Sequence, residues 1–254
     1  MIAVAAAASI AGSVVVATLA GVVEWIAVQV SLPRRFVWLV GIAISLGLTG
    51  TLMFVCAGGI LSSRNATFGT PYLVDTCIAV LWPVSSIFCA IQLLRSWRAL
   101  QRATPHWEPA LIENTEVWIT DLFGPGTIGV REPRIVLPRW LLRELPQTLA
   151  AVLAHERQHV ACRDYRWRLF EKIAYCTMPW NIGLRWQLQR LITSVEIDCD
   201  ARVLRSESID SLAYSKGLAA NWLGWCRARK IDAENPLASS QIRRRLQIIA
   251  AGVQ

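Results

Sequence analysis

Three long apolar runs, residues 2–30, 36–61 and 73–94, restrict the first hundred residues of this chain more than any other feature. About 20 apolar residues suffice for a helix to cross a hydrocarbon core ~30 Å thick, where every backbone polar group must be paired within the segment. The first run is interrupted only by Glu24 and Gln29, lacks a basic start and is longer than a signal-peptide core, so it reads as a retained span. Glu24 is expected at the membrane interface beside Trp25. The third run is entered near Asp75 and carries Pro83, where a kink is expected. Leu32-Pro33-Arg34-Arg35 is a tight basic turn, and residues 62–72 are a short polar loop in which Asn65-Ala66-Thr67 matches a glycosylation sequon. Arg34 and Arg35, then Arg95, Arg98 and Arg102, mark the cytoplasmic side. That puts the N-terminus and the loop around Ser63 outside, and Ser206 with the rest of the chain inside.

Composition agrees with a membrane-bound chain. Hydrophobic residues make up 54% and charged residues 17%, with a mean hydropathy of +0.39, which is too apolar for an ordinary soluble protein. The net charge of +8 comes mainly from arginine. Beside apolar spans it suits a face next to anionic lipid, and no nucleic-acid-binding signature accompanies it, so no direct nucleic-acid partner is expected. Seven cysteines are scattered without a C-x-x-C pair, as expected of small buried residues in a reducing compartment or in lipid. The expected organisation is a transmembrane region over residues 1–103 and a second domain over 104–254.

The second region mixes short strand patterns with helices. Residues 104–109 read as a linker, 116–121 alternate as a strand, Gly124-Pro125-Gly126 turns, and 127–137 return to complete a small β-hairpin. Pro133 makes the returning strand bulged or an edge, and an edge strand could hold an extended peptide by strand addition. A short helix over 139–144 precedes a longer one opened by Pro146. Residues 173–184 are apolar but too short to cross a bilayer unaided, so they are either core or a segment resting on the membrane. Helices are expected over 188–204 and 211–225. The tail, 239–249, is expected to carry Arg243, Arg244 and Arg245 on a surface helix.

Within the longer helix, His155, Glu156 and His159 spell H-E-x-x-H, which sets two imidazoles one turn apart on one face. Neutral histidine is a good zinc ligand, and a glutamate beside the metal can take a proton from its bound water. The bland alternative is an apolar helix whose last turn emerges into water. A hydrolytic zinc site needs a third protein ligand. The remaining histidine, His106, lies between prolines and is a poor candidate. LITSVEIDCDARVL offers Glu196, Asp198 and Asp200; Glu196 and Asp200 share a helix face while Asp198 points elsewhere. Glu196 could bind the metal as Asp200 accepts the distal N–H of a ligating histidine, the alternative being an acidic solvated face.

In order, IVLP, AHERQHVACRD, a Pro-Trp-Asn apolar segment and VEIDCDARVL resemble the BlaR/MecR family of membrane metallopeptidases, over residues 115–214. The resemblance implies a mainly α membrane protein with about three N-terminal spans. It also implies a cytoplasmic α+β gluzincin-type zinc peptidase domain. It makes His155, His159 and Glu196 the Zn2+ ligands, Glu156 the general base and Asp200 a supporting residue. The implied function is zinc-dependent endoproteolysis at the cytoplasmic face of the inner membrane, in regulated proteolysis such as inactivation of a transcriptional repressor. Residues 1–254 show no penicillin-binding sensor domain, so antibiotic sensing is not expected of them. Two other readings remain: a quality-control protease of the HtpX type, and a non-proteolytic membrane signalling scaffold.

Overall fold

The computed structural model describes residues 2–30, 32–62, 70–121, 124–206, 210–230 and 236–250. The Asn65 sequon and Ser63 lie outside the described residues. Internal contacts gather the chain into two units, Met1–Ala99 with Leu169–Ser194, and Leu100–Arg168 with Val195–Gln254.

The first unit is helical. Helices α1 (Ile2–Gln29), α2 (Arg34–Ser62) and α3 (Thr70–Ala103) contain the three apolar runs, and each is long and apolar enough to cross a membrane. The buried positions of α1 include Ser9, Ser13, Ala17, Ala20, Glu24 and Ala27, spaced by three or four residues. Such a seam of small residues lets helix backbones approach closely where no hydrophobic drive acts between helices. On α2 the buried residues include Trp38, Ile42, Ser45 and Thr49, and Ser9 and Thr49 share a 2.5 Å hydrogen bond. Pro83 lies inside α3, which continues on both sides of it. The unit also takes in most of α5 (Tyr165–Thr177) and the first half of α6 (Ile182–Ser206). Residues 173–184 therefore belong with the apolar helices.

The second unit carries a four-stranded sheet: β1 (Glu108–Ile112), β2 (Thr115–Thr120), β3 (Gly126–Ile128) and β4 (Arg134–Pro138), in the order β1-β2-β4-β3. This corrects the expected hairpin in two ways. Glu108 and Pro109, expected at the end of a linker, open the strand β1 instead. This strand turns into β2 through Glu113 and Asn114, both with positive φ, the backbone a two-residue hairpin loop requires. The strand after the Gly-Pro-Gly turn is only β3, and it pairs with β4; β2 pairs with β4 in parallel. β4 takes the inner place because its Ile135, Val136 and Leu137 are all buried, a continuous apolar run suited to a strand covered on both faces. The β3–β4 turn depends on Gly129, with φ of +106°. A Cβ there would sit 2.3 Å from the Glu132 carbonyl oxygen, so only glycine fits.

Pro138 leads into a 3-10 turn over Arg139–Arg143 and then α4 (Pro146–Ala161), opened by Pro146. Val117, Ile135, Leu137 and Leu141 pack with Val152 and Leu153 of α4 in one buried cluster. The other side of α4, at Ala151 and Ala154, packs with Val203 of α6, Tyr214 and Leu218 of α7 (Ser211–Arg229), and Ile249 of α8 (Pro236–Ala250). α4 is thus enclosed on two faces, which places its third, polar stripe inside the unit.

Candidate metal centre

That stripe is His155, Glu156 and His159, all buried. The i, i+4 spacing brings the two imidazoles to 4.5 Å between ring centres, nearly perpendicular, with their Nε2 atoms 3.0 Å apart. Glu196 of α6 completes the convergence: its Oε2 lies 3.4 Å from His155 Nε2 and its Oε1 3.5 Å from His159 Nε2. Asp200, one turn along α6 from Glu196, faces the other edge of the first ring, with Oδ1 3.2 Å from His155 Nδ1. The Tyr214 hydroxyl is 3.0 Å from that same nitrogen and donates to Asp200 Oδ1 at 2.8 Å. An Nδ1–H directed at a carboxylate leaves the Nε2 lone pair for a metal.

His159 is oriented by Asp164, whose Oδ2 lies 3.0 Å from His159 Nδ1. Local backbone geometry explains the contact. α4 ends at Cys162, Arg163 adopts φ of +56°, and Asp164 N–H donates to the His159 carbonyl while Arg163 N–H donates to Val160. This Schellman closure folds the chain back so that Asp164 meets the ring five residues before it. Arg202 pairs with the same Asp164 carboxylate.

Two arginines neutralise the acidic side. Arg168 Nη2 donates to Glu196 Oε1 at 2.5 Å. Arg245 of α8 grips Asp200 with Nε and Nη2, each at 2.7 Å, and reaches Glu196 Oε2 with Nη1 at 3.1 Å. Charge and burial then oppose one another. Burial would raise Glu196, but Arg168 and the imidazoles hold it well below the ordinary carboxylate range. Burial also acts against Asp200, and Arg245 brings it down to about 2. Burial disfavours charge on both histidines. Their acidic neighbours nevertheless raise both well above the usual value, Cys199 and Asp200 acting on His155 and Glu196 and Asp164 on His159.

A cavity of about 270 Å³ opens on the convergence point, lined by Thr127, Glu156, Tyr165 and Asn221 among others. Glu156 Oε2 accepts a hydrogen bond from Thr127 Oγ1 at 3.1 Å, which ties it to the edge strand β3. Two imidazole nitrogens and a carboxylate within 3.5 Å of one another are a donor set that fits a divalent metal ion. Cys199 is a rival third donor, since it and the two histidines offer ligand atoms within 4.8 Å of one another. Its Sγ is 3.5 Å from His155 Nδ1, the side taken by Asp200 and Tyr214, whereas Glu196 faces the Nε2 of both rings.

The residues singled out from the sequence, His155, Glu156, His159, Glu196 and Asp200, therefore lie together. Asp198 is half-buried and does not line the cavity, and His106 is exposed. One expectation is corrected: Arg245 does not point to solvent but turns inward onto Asp200 and Glu196, with 13% of its side chain exposed. Arg168, Asp164, Tyr214 and Thr127 were also not assigned from sequence. Of these only Asp164 carried a local signal, as the acid that closes HVACRD.

The model of the family described as BlaR1 peptidase M56 matches residues 72–249. No curated protein sequence matches the chain. With the match covering more than half of its length and the paired histidines inside it, the chain belongs to the BlaR1 peptidase M56 family of membrane metallopeptidases.

Proposed function

We propose that this protein is a zinc-dependent endopeptidase, anchored in the inner membrane by residues 1–103, whose region 104–254 is a gluzincin-type domain cutting a protein substrate at the cytoplasmic face. The observation that carries the reading is the meeting of His155 Nε2, His159 Nε2 and the Glu196 carboxylate in front of a cavity that also contains Glu156. His155, His159 and Glu196 would hold the metal. Two nitrogens and one oxygen with an open fourth position are the donor set of catalytic zinc. When bound, zinc supplies Lewis acidity to the scissile carbonyl and to the attacking water.

The chain's own residues do the rest. Glu156 accepts the proton of the attacking water and returns it to the leaving amine. Thr127 donates to Glu156 Oε2 and so fixes the direction of its other oxygen. Asp200 and Tyr214 hold the His155 ring, and Asp164 holds that of His159. The free edge of β3 can take an extended substrate by strand addition. Arg34, Arg35, Arg95, Arg98 and Arg102 support the cytoplasmic orientation. Regulated proteolysis, with a transcriptional repressor as the class of substrate, is what the resemblance to the BlaR/MecR family implies.

Replacing Glu156 by glutamine tests this directly. E156Q is expected to keep its zinc and its fold and to lose about 10²–10⁴-fold in peptide cleavage, the usual worth of a positioned base. Cleavage at the wild-type rate would remove Glu156 as the base. Lost cleavage with an unchanged signalling output in cells would favour a scaffold.

A further inference from the structure

The segment Leu169–Ser194 groups with three helices that are long and apolar enough to cross a bilayer, and it carries charge itself at Glu171, Lys172, Arg185 and Arg190. Its turn meets α1 and α3 within their apolar stretches, and Gln187, further along α6, meets α2. The Thr177 carbonyl accepts from Trp82 Nε1 at 2.8 Å and Ser86 Oγ at 3.2 Å. These residues flank the centre of the apolar part of α3, and Trp180 stacks edge-on to Trp82 at 5.9 Å. Asn181 Nδ2 donates to Ser9 and Ser13 of α1 at 3.2 and 3.0 Å, while its Oδ1 caps α6 at Leu184 N–H. Gly183 presses on α1 so closely that a Cβ would be 2.7 Å from Ser13 Cβ.

From there α6 descends a ladder of polar contacts. Gln187 donates to the Ser13 carbonyl and to Ser45 Oγ, both at 2.8 Å. Arg190 pairs with Glu24 at 2.5 Å and lies over Trp38 at 5.1 Å, near the ends of α1 and α2 that carry Trp25, Arg34 and Arg35. Asn181 to Arg190 is nine residues, about 13 Å of helix, close to half of a ~30 Å hydrocarbon core. A turn at mid-bilayer and an ion pair at the interface are thus one consistent arrangement. The turn's polar groups are also satisfied by the spans, as a break in helical backbone at that depth demands.

The exposed surface of the segment mixes charge with apolar side chains. Arg185 is exposed one turn from the capping Asn181, with its guanidinium 5.9 Å from the Tyr175 ring. Lys172, Gln189 and Trp186 are exposed as well, together with Ile173 and Ile182. Arg185 would lie about 7.5 Å inside the hydrocarbon boundary on the same helix arithmetic, where a charge almost always faces protein or a water-filled space. We propose that Leu169–Ser194 is a re-entrant helical hairpin that inserts to about the bilayer midplane beside α1–α3 and keeps its Arg185–Trp186 face wet, so that an aqueous indentation enters the membrane there. This rests on the reading that α1–α3 cross the bilayer.

The test uses the full chain in lipid nanodiscs, with native cysteines replaced and single spin labels at R185C, Q189C and, on α3, V84C and F88C. Val84 and Phe88 are exposed apolar positions of the span. The expected result is several-fold higher accessibility to a water-soluble nickel reagent at 185 and 189 than at 84 and 88, where oxygen accessibility dominates. Oxygen-dominated signals at all four positions would overturn the wet face. Nickel access at 84 and 88 would instead overturn the spanning of α3 and the inference with it. If the cysteine-replaced chain does not fold, hydroxyl-radical footprinting of the unmodified protein asks the same question. Oxidation of Trp186 and Tyr175 with protection of Phe88 is expected, and protection of all three would refute the indentation.

Discussion

Asp164 and His159 are five residues apart, and the carboxylate lies 3.0 Å from the ring nitrogen that faces away from His155. The contact exists because Arg163 takes the left-handed backbone that reverses the chain at the end of α4. It gives His159 the same kind of support that Asp200 gives His155, so each imidazole has its own carboxylate.

If Asp164 aims His159, then D164N should weaken metal binding by about 10–100-fold, the range found for groups that orient metal-ligating histidines. Competition with a chelator of known affinity would measure it. Unchanged affinity in a variant that melts like the wild type would show that the ring is fixed by packing alone.

The two candidates for third ligand can be told apart by metal content. Wild-type protein is expected to carry about one zinc per chain. E196Q should lose most of it, and C199S should retain it, because only Glu196 faces both Nε2 atoms. Full occupancy in E196Q with loss in C199S would reverse the assignment.

Metal uptake should release protons. Without metal, the acidic neighbours raise both histidines well above the ordinary value, so protons compete with a metal for the rings. Raising the pH removes this competition, and apparent affinity should rise with it. The stability of the metal-free fold should move the other way. The charged-imidazole contribution is present below the unfolded histidine value and is lost as pH climbs through the raised folded one. Calorimetric titration in two buffers of different ionisation heat reads the protons directly. A heat independent of buffer would contradict the raised values.

Orientation can be read at Ser206, the exposed last residue of α6. S206C in a background without accessible native thiols should react with a membrane-impermeant reagent only after the cytoplasmic side is exposed. Reaction in intact cells would put the peptidase region outside and exclude a cytoplasmic substrate.

What could be read from the chain alone follows from the range of the interactions. The apolar runs and H-E-x-x-H are local patterns, and helix periodicity alone puts His155 beside His159. Glu196 and Asp200 were legible for the same reason, as one face of one helix. Arg245 was not. A run of three arginines on a helical segment looks like a solvated face, and only the acidic pair on α6, 45 and more residues away, gives its buried place a meaning. The sheet misled in a similar way. Sequence neighbours suggest a hairpin, whereas β2 pairs in parallel with β4; the apolar run Ile135–Leu137 marks an inner strand but does not say which strand lies beside it.

The reach of Arg245 has a temporal side. Its guanidinium lies 3.4 Å from His155 Nε2 although 90 residues of chain separate the two. At 5–20 residues per second, a ribosome needs roughly 5–18 s to cover that distance. During that interval the metal-binding helix is already made, while Glu196 and Asp200, once they appear, still lack the Arg245 cation that compensates them. A newborn chain therefore passes through a stage in which the acidic pair is uncompensated, and the order of synthesis itself sets when the cluster can close.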